Sequence, residues 1–465
     1  MKRIFLVAGC WLLVAGSFGQ TISSKLATAF KQFENDPQLK HAISSLHVID
    51  AKTGKIVFSK NAQIGLVPAS TQKVITAATA FELLGKDYRY KTELGYTGNI
   101  DGNNLNGNLF LKCSGDPTLG SGRYSTTKEN DILRKWLDAT KNLGIESISG
   151  NILYNHKDFS ANSIPDGWIW EDIGNYYGAG ADILNWKENQ YDIYLKSGNK
   201  IGDSVEILGE NKGFINELSA AAKNSGDNAY VYLAKGVYEP IITGTIPINE
   251  KSFKISAADP YSLYNFFMEF GHFLNVNGIK GRGLGYLTRY YLDNHSKAFS
   301  IFNSITTHYS PSLDSIIYWF LQKSVNLYGE ALIKTFAYEK KGFGSTDGGV
   351  EIVKDFWKQK GIDEDELRIA DGSGLSPVNR VTTHAQVEIL KYAKQQPWFP
   401  FFYDALPDYN NMKMKSGTLK SMKGFSGYHT SRSGQEYIFS FVVNNYTGTH
   451  SSLVSKMYRV LNVLK

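Results

Sequence analysis

Apolar residues recur at helical spacing in the segment that begins at Ser70 and ends before Gly85. They cover one side of the predicted helix and much of the other, at Val74, Ile75, Ala77, Ala78, Ala80, Phe81, Leu83 and Leu84. A helix that is apolar nearly all round is buried in a protein core. Two short apolar runs, 46–50 and 56–59, precede it and flank a turn that contains Gly54, which predicts a β-hairpin.

The pattern changes between residues 91 and 256, where short apolar runs are separated by Gly, Asn and Asp. Such runs are typical of strands joined by turns, and they predict a β-rich insertion of one or two subdomains. Helical spacing returns after residue 257, in the segments 261–273, 313–321, 327–339 and 350–360. The C-terminal region predicts three strands and a helix, at 411–419, 424–430, 436–444 and 451–465.

These elements predict an α/β fold in which one domain is divided in the sequence. Residues 20–90 and 257–465 would form this domain, and residues 91–256 would be inserted into it. The chain has 465 residues, which is enough for two or three compact units.

The first residues have the features of an export signal. Two basic residues precede an apolar run from 4 to 15, and small residues allow cleavage before Gln20. Residues 1–19 are therefore predicted to be a signal peptide, and the mature protein to be periplasmic or secreted. Cys10 lies in a sequence similar to a lipoprotein cleavage box, which is the alternative. No later run approaches the ~20 apolar residues of a membrane span, so no further membrane anchor is expected.

The remaining composition argues against several classes of protein. The formal charge of +6 is spread without a basic run, so no nucleic-acid surface is expected. The nine histidines form no H-E-x-x-H motif, and we predict neither a metal site nor any other cofactor. Beyond the predicted signal peptide only Cys113 remains, and its apolar run predicts a buried strand thiol rather than a nucleophile.

Three short motifs have the residue types of an active-serine enzyme. They are an S-x-x-K, an S-x-N and a K-[ST]-G motif, at Ser70-Thr71-Gln72-Lys73, Ser324-Val325-Asn326 and Lys415-Ser416-Gly417-Thr418. A serine hydroxyl is a poor nucleophile without a base. Residues three apart on a helix project from the same face, so Lys73 is placed to accept the Ser70 proton.

Each motif type also occurs elsewhere in the chain. S-x-x-K recurs at Ser125 in a charged pattern that predicts a surface helix, and K-[ST]-G recurs at Lys52 in the turn of the predicted hairpin. Further S-x-N sequences begin at residues 149, 160 and 197, and a further K-[ST]-G at residue 196. Only the motifs at 70, 324 and 415 combine a buried helix, the start of a second helix and a strand edge.

Together these motifs resemble those of the low-molecular-mass class C penicillin-binding proteins, the D-alanyl-D-alanine carboxypeptidase/endopeptidase family. The segments 114–119 and 371–376 match two further segments of that family, and the resemblance runs in order from about residue 40 to the C-terminus. It implies a penicillin-recognising serine transpeptidase/β-lactamase-like domain with an antiparallel sheet, helices and a large insertion. It also implies cleavage of peptidoglycan peptide stems through an acyl-enzyme, and acylation by β-lactam antibiotics.

The resemblance also implies a role for each motif residue. Ser70 would be the nucleophile and Lys73 its base, with a pKa lowered by burial and by the second cation Lys415. Ser324 would relay a proton to the departing amine, and Asn326 would hold the substrate amide and the Lys73 side chain.

The K-[ST]-G strand is implied to bind the substrate. Lys415, Ser416 and Thr418 would bind its terminal carboxylate, and Gly417 would let the strand backbone and the substrate approach closely. The backbone N–H groups of Ser70 and Thr418 would form the oxyanion hole.

Two other functions stay open at this stage. A β-lactamase or esterase on the same fold would need an efficient deacylation base, and the E-x-x-x-N sequence at Glu171 precedes the S-x-N motif instead of following it. A non-catalytic peptidoglycan-binding envelope protein would not need the full serine and lysine set.

Asp116 is the candidate substrate-binding carboxylate for a free amine on the stem. The alternative is that it only stabilises its own turn.

Overall fold

The computed structural model describes residues 21–209, 213–233, 239–281 and 302–465, so the predicted signal peptide and Cys10 lie outside the described residues. Within these ranges the helices are α1 (Ile22–Glu34), α2 (Lys73–Leu83), α3 (Glu129–Asn142), α4 (Trp170–Ile173), α5 (Ser262–Val276), α6 (Leu313–Gln322), α7 (Asn326–Lys341), α8 (Thr346–Gln359), α9 (Thr383–Lys394), α10 (Phe399–Ala405) and α11 (His450–Leu461). None of them is long and apolar enough to cross a membrane.

The strands of the same ranges fall into several sheets. In chain order they are β1 (Ile43–Asp50), β2 (Ile56–Lys60), β3 (Lys91–Asp101), β4 (Asn104–Lys112), β5 (Ser147–Ile148), β6 (Ile152–Tyr154), β7 (Gln190–Ser197), β8 (Val205–Leu208), β9 (Ile215–Ala221), β10 (Asn228–Tyr232), β11 (Ile241–Pro247), β12 (Phe253–Ala258), β13 (Asn303–Tyr309), β14 (Leu367–Arg368), β15 (Arg380–Val381), β16 (Asp408–Tyr409), β17 (Met412–Leu419), β18 (Met422–Thr430) and β19 (Glu436–Asn444).

The largest sheet is antiparallel and has the strand order β16-β17-β18-β19-β1-β2. Its central strands are rich in Val, Ile and Phe, and β19 is buried at every position except its two ends. Helices α1 and α11 cover one face through residues such as Phe30 and Met457, which pack with Phe441 of β19. Helix α9 packs on the other face. The predicted β1–β2 hairpin and the three predicted C-terminal strands are therefore present.

Helix α2 forms the centre of the helical layer. Its residues from Lys73 to Phe81 are all buried, as the apolar pattern predicted, and α2 contacts α6, α7 and α9. Phe81 stacks on Trp398 with ring centroids 5.0 Å apart, and Trp357 donates through Nε1 to the Thr79 hydroxyl at 2.8 Å. A helix held on all sides in this way is a rigid support for residues at its N-terminus.

The inserted region has two hydrophobic cores. In the first, β3 pairs with β4 and β13, and Trp136 of α3 packs edge-on against Phe266 and Phe270 of α5. In the second, β7, β8 and β12 form one small sheet and β9, β10 and β11 another. The insertion was predicted to end at residue 256, yet α5 and β13 follow that residue and contact insertion elements. We propose that the inserted region extends to about residue 309.

Buried polar contacts attach the insertion to α7. The Lys334 amine is fully buried and donates to the carbonyl groups of Asn162 and Ala181, each at 2.7 Å. The Tyr328 hydroxyl donates to the buried Glu188 carboxylate at 2.7 Å. Breaking such contacts leaves unpaired polar groups in a dry environment, so they fix the insertion beside the helix that begins at Asn326.

Candidate active site

Ser70 lies in a 3₁₀ turn, Ala69–Gln72, that leads directly into α2. Ala69 has a left-handed φ of 43°. This backbone conformation is strained for any residue other than glycine, and it persists only where the surrounding structure imposes it. The Thr71 hydroxyl donates to the Pro68 carbonyl at 2.7 Å, and the Thr71 amide donates to the same oxygen at 3.2 Å. The turn therefore holds Ser70 in a fixed direction at the start of a buried helix.

The Lys73 amine has three oxygen partners. Its Nζ lies 3.0 Å from Ser70 Oγ, 2.6 Å from Asn326 Oδ1 and 2.7 Å from the Ser373 carbonyl oxygen. The Asn326 amide is oriented by its Nδ2, which donates to the Tyr177 carbonyl at 2.7 Å. A neutral amine has two hydrogens and one lone pair. Since the oxygens of Asn326 and Ser373 can only accept, they take both hydrogens and leave the lone pair for the Ser70 hydroxyl.

The environment of Lys73 favours this neutral form. Burial lowers the pKa of Lys73 to about 7, and the carboxyl groups of Asp371 and Glu330 oppose the shift. We expected Lys415 to contribute, but burial is the main cause. Neighbouring cations do influence Lys415 itself. Burial is the largest cause, and the charges of Lys73 and Lys423 add to it, so that the pKa of Lys415 lies well below its usual range. Lys73 thus has the geometry and the proton affinity of a general base.

A buried carboxyl group holds the loop that contacts Lys73. Glu330 of α7 accepts the N–H groups of Gly372 and Ser373, at 3.1 and 2.9 Å. The Gln72 side chain donates to the carbonyl oxygen and the carboxylate of Asp371, at 2.6 and 3.1 Å. The segment 371–376 therefore forms one wall of the site and is tied to the Ser70 turn. Sequence reasoning noted this segment but gave it no role.

Ser324 occupies the loop between α6 and α7 and has a left-handed φ of 56°. Strained residues of this kind concentrate at functional sites, and Ala69 is a second example in the same site. Asn326, two residues later, contacts Lys73 directly. Within the described part of the chain, no hydrogen bond joins the Ser324 side chain to Ser70 or Lys73. Its role as a proton relay stays a prediction.

Strand β17 places the third motif against the Ser70 turn. A Cβ atom on Gly417 would lie 2.6 Å from the Pro68 carbonyl oxygen and 3.0 Å from the Ser70 nitrogen, so the two backbones are in contact. Lys415 is buried, and its amine donates to the Ser416 carbonyl at 3.1 Å. Gly417 therefore allows a close contact with the Ser70 turn that the sequence did not predict, and its close approach to the substrate stays a prediction.

Asp116 is enclosed in its own turn. Its side chain is buried, and Oδ1 accepts the amide and the hydroxyl of Thr118 at 2.8 and 2.6 Å. The Asn185 side chain donates to the Asp116 carbonyl at 3.3 Å. These contacts favour the alternative in which Asp116 stabilises its own turn through Oδ1, and its binding of a stem amine stays a prediction.

Replacing Asp116 by asparagine should change stability in a pH-dependent way and leave catalysis unchanged. Burial raises the pKa of Asp116 from 3.8 to about 6. The folded protein therefore binds the additional proton between these values, so ionisation lowers wild-type stability as the pH rises through this window. The asparagine variant lacks the effect. Its melting temperature relative to the wild type should rise from pH 4 to pH 7, as calorimetry would measure. Slower cleavage of stems with a free amine would contradict the structural role.

The insertion reaches the site through the segment around Tyr177. The Tyr177 carbonyl accepts from Asn326, and Trp168 donates through Nε1 to the Asp371 carboxylate at 2.9 Å. Asp172 lies beside Tyr177, and burial raises its pKa to about 6. These contacts carry no recognisable sequence signal, since they involve a backbone carbonyl and an indole in an aromatic-rich loop.

The sequences at Glu171 and Ser125 that resemble catalytic motifs lie in ordinary structural elements of the insertion. Asn175 of the E-x-x-x-N sequence donates to the Glu171 carbonyl at 2.7 Å, which makes it part of the insertion structure. Ser125 was predicted to start a surface helix, but it lies in the loop before α3, which begins four residues later at Glu129. Cys113 is buried as predicted, and burial raises the pKa of its thiol. In the described ranges, no group of three His, Cys, Asp or Glu side chains is suited to a metal ion.

Comparison with known proteins identifies relatives along most of the chain. A family model, described as the D-Ala-D-Ala carboxypeptidase 3 (S13) family, matches residues 26–408, a range that ends before Lys415. The chain is 26% identical over 454 residues to a D-alanyl-D-alanine carboxypeptidase of Actinomadura sp. (strain R39), covering 89% of this chain and 80% of that protein. It is 24% identical over 421 residues to D-alanyl-D-alanine carboxypeptidase DacB of Haemophilus influenzae, covering 84% and 83%.

A solved structure has the same fold. The crystal structure of penicillin binding protein 4 (dacB) from Haemophilus influenzae matches with a TM-score of 0.77 and 21% identity, over 94% of this chain and 98% of that chain. The same protein has been crystallised with a β-lactam, and that structure matches with a TM-score of 0.70. The predicted fold is therefore confirmed.

Proposed function

The chain belongs to the D-Ala-D-Ala carboxypeptidase 3 (S13) family, and on that premise we propose that it is a serine D-Ala-D-Ala carboxypeptidase/endopeptidase that cleaves peptidoglycan stems through an acyl-enzyme on Ser70. The observation that carries this proposal is the position of the Lys73 amine, 3.0 Å from Ser70 Oγ, with two acceptor-only oxygens on its other side. A buried amine that only bound a structural anion would not need this arrangement.

The proposed reaction has two halves. Ser70 Oγ attacks the carbonyl carbon of the penultimate D-Ala while Lys73 takes the hydroxyl proton. The C–N bond then breaks, and the leaving amine receives a proton through Ser324, which leaves an ester on Ser70. Water hydrolyses this ester with Lys73 again acting as base, and Ser70 recovers its proton.

Strand β17 is proposed to hold the substrate during both halves. Its contact with the Ser70 turn at Gly417 allows the N–H groups of Ser70 and Thr418 to bind the developing oxyanion. An extended peptide would add to the strand edge, and its terminal carboxylate would meet Lys415, Ser416 and Thr418.

Mass spectrometry with benzylpenicillin tests the assignment of the nucleophile. We expect the intact protein to gain the mass of the drug, and proteolysis to locate the addition on the peptide that contains Ser70. Ser125 begins the other S-x-x-K sequence and serves as an internal control. Labelling of Ser125, or of neither serine, would remove the proposal.

The lifetime of the same adduct separates this function from the alternatives. A carboxypeptidase on this fold should keep the drug bound for many catalytic turnovers, whereas a β-lactamase would release hydrolysed drug quickly. A non-catalytic binding protein would form no adduct. No glutamate that could serve as a deacylation base is hydrogen-bonded to Ser70 or Lys73 in the described residues, which favours a persistent adduct.

We also propose that the mature protein acts in the periplasm or outside the cell. The proposal rests on the basic and apolar N-terminal pattern before Gln20. Its substrate, the peptidoglycan stem, is found in that compartment.

A further inference from the structure

A third lysine adjoins the proposed carboxylate site. Lys423 of β18 is the cross-strand partner of Thr418 in β17. Its Nζ donates to Thr418 Oγ at 2.9 Å and lies 4.8 Å from the centre of the Phe425 ring. Only 6% of Lys423 is exposed, so this amine is held in place and is largely removed from water.

The bond from Lys423 determines what the Thr418 hydroxyl can do. An ammonium group has only hydrogens to offer, so Thr418 Oγ must accept from it. The hydroxyl proton of Thr418 is then directed away from Lys423 and is available to another acceptor. Since Thr418 is exposed at the surface of the cleft strand, a bound ligand can be that acceptor.

The charge of Lys423 has no carboxylate partner in the described residues, where its one side-chain hydrogen bond goes to Thr418. Burial lowers its pKa to about 8, so the protonated form predominates at neutral pH. Lys415 is also buried and donates only to a backbone carbonyl in these residues. A buried cation without a counter-charge is costly unless a ligand supplies one. Lys415 lies close enough to Lys423 for that charge to lower the pKa of Lys415, and an anion bound beside both amines would favour their protonated forms. This end of β17 is therefore suited to an anion.

We propose that Lys423 is a positioning and specificity residue, which directs the Thr418 hydroxyl to the terminal carboxylate of the substrate and adds a positive charge to that site. The inference rests on the proposed function, because it takes the ligand carboxylate to bind along β17. It adds a residue from the neighbouring strand that none of the three motifs contains.

The test compares acylation by benzylpenicillin with acylation by its methyl ester, which differs only in the carboxylate. The measured quantity is the second-order acylation rate constant with benzylpenicillin divided by that with the methyl ester. Lys423→Met should lower this ratio about ten- to a hundredfold, the range for a hydrogen bond that involves a charged group. Lys423→Arg should restore most of it. Lys420→Met, in the exposed turn between the same strands, removes the same charge and should leave the ratio unchanged.

A second variant makes the test independent of whether Lys423→Met folds. Thr418→Val removes the hydroxyl at an exposed position, and it should lower the same ratio. The double variant with Lys423→Met should lower the ratio by less than the product of the two single effects, because both substitutions act on one hydrogen bond. An unchanged ratio in Thr418→Val, or an equal loss on acid and ester in Lys423→Met, would overturn the inference. A wild-type protein that reacts with neither compound would instead refute the proposed function.

Discussion

Replacing Lys73 by methionine will lower the rate of β-lactam acylation by about a hundred- to ten-thousandfold, the usual contribution of a general base. Methionine has a similar length and tolerates burial, so the fold should persist, but it cannot accept the Ser70 proton. Lys73→Arg should be no better, because a guanidinium keeps its proton at any accessible pH. The measurement is the rate of adduct formation by stopped-flow or mass spectrometry, with melting temperatures as the folding control.

Two results would contradict this assignment. Substantial acylation by the arginine variant would show that Lys73 acts as a fixed charge rather than as a base. A loss that parallels a fall in melting temperature would show a structural role instead.

The pH dependence of wild-type acylation gives a separate check on Lys73. Because its pKa is lowered to about 7, the acylation rate should rise with pH through that value and then level off. The unfolded chain holds the Lys73 proton up to a pKa near its ordinary value of 10.5, so it binds the additional proton between pH 7 and 10.5. The free energy of unfolding attributable to Lys73 should therefore increase with pH across that window, and Lys73→Met should lack this dependence.

The sequence was sufficient for the elements whose pattern is local. Helix α2 is apolar nearly all round in sequence and is buried from Lys73 to Phe81 in the structure. The β1–β2 hairpin and the C-terminal strands follow from alternating runs and turn residues in the same way. The motif at Ser70 could be separated from that at Ser125 because burial of the following helix is itself visible in the pattern.

Contacts between segments that are far apart in the chain could not be predicted from the sequence. Strand β13 belongs with β3, about two hundred residues earlier, and nothing in its own residues specifies that partner. Asp116 illustrates a second limit, since an aspartate in a Gly-Pro turn looks the same whether its carboxylate faces a ligand or closes the turn. Glu330 and Asp371 are a third case. Their importance comes from the loop they hold against Lys73, which exists only once α7 and the segment 371–376 meet.

Replacing Gly417 by alanine should lower acylation about a hundredfold, which is the cost of displacing a reacting group by about 1 Å. The new Cβ would lie 2.6 Å from the Pro68 carbonyl oxygen and 2.9 Å from the Thr71 nitrogen. Both atoms are backbone atoms of the turn that carries Ser70, so either the turn or strand β17 must move. The measurement is the benzylpenicillin acylation rate, with circular dichroism and melting temperature to establish that the variant is folded.

Gly424→Ala is the matched control for this substitution. Gly424 pairs with Gly417 across β17 and β18, yet the atom nearest to its added Cβ would be the Thr71 side-chain Cγ2, at 3.0 Å. A side-chain methyl can shift by a few tenths of an ångström more easily than a backbone carbonyl, so this variant should retain most of its acylation rate. The difference between the two alanine variants isolates the contact with the Ser70 turn from the general cost of adding a methyl group to the sheet. Equal rates in both variants would show that the close approach at Gly417 does not position the nucleophile.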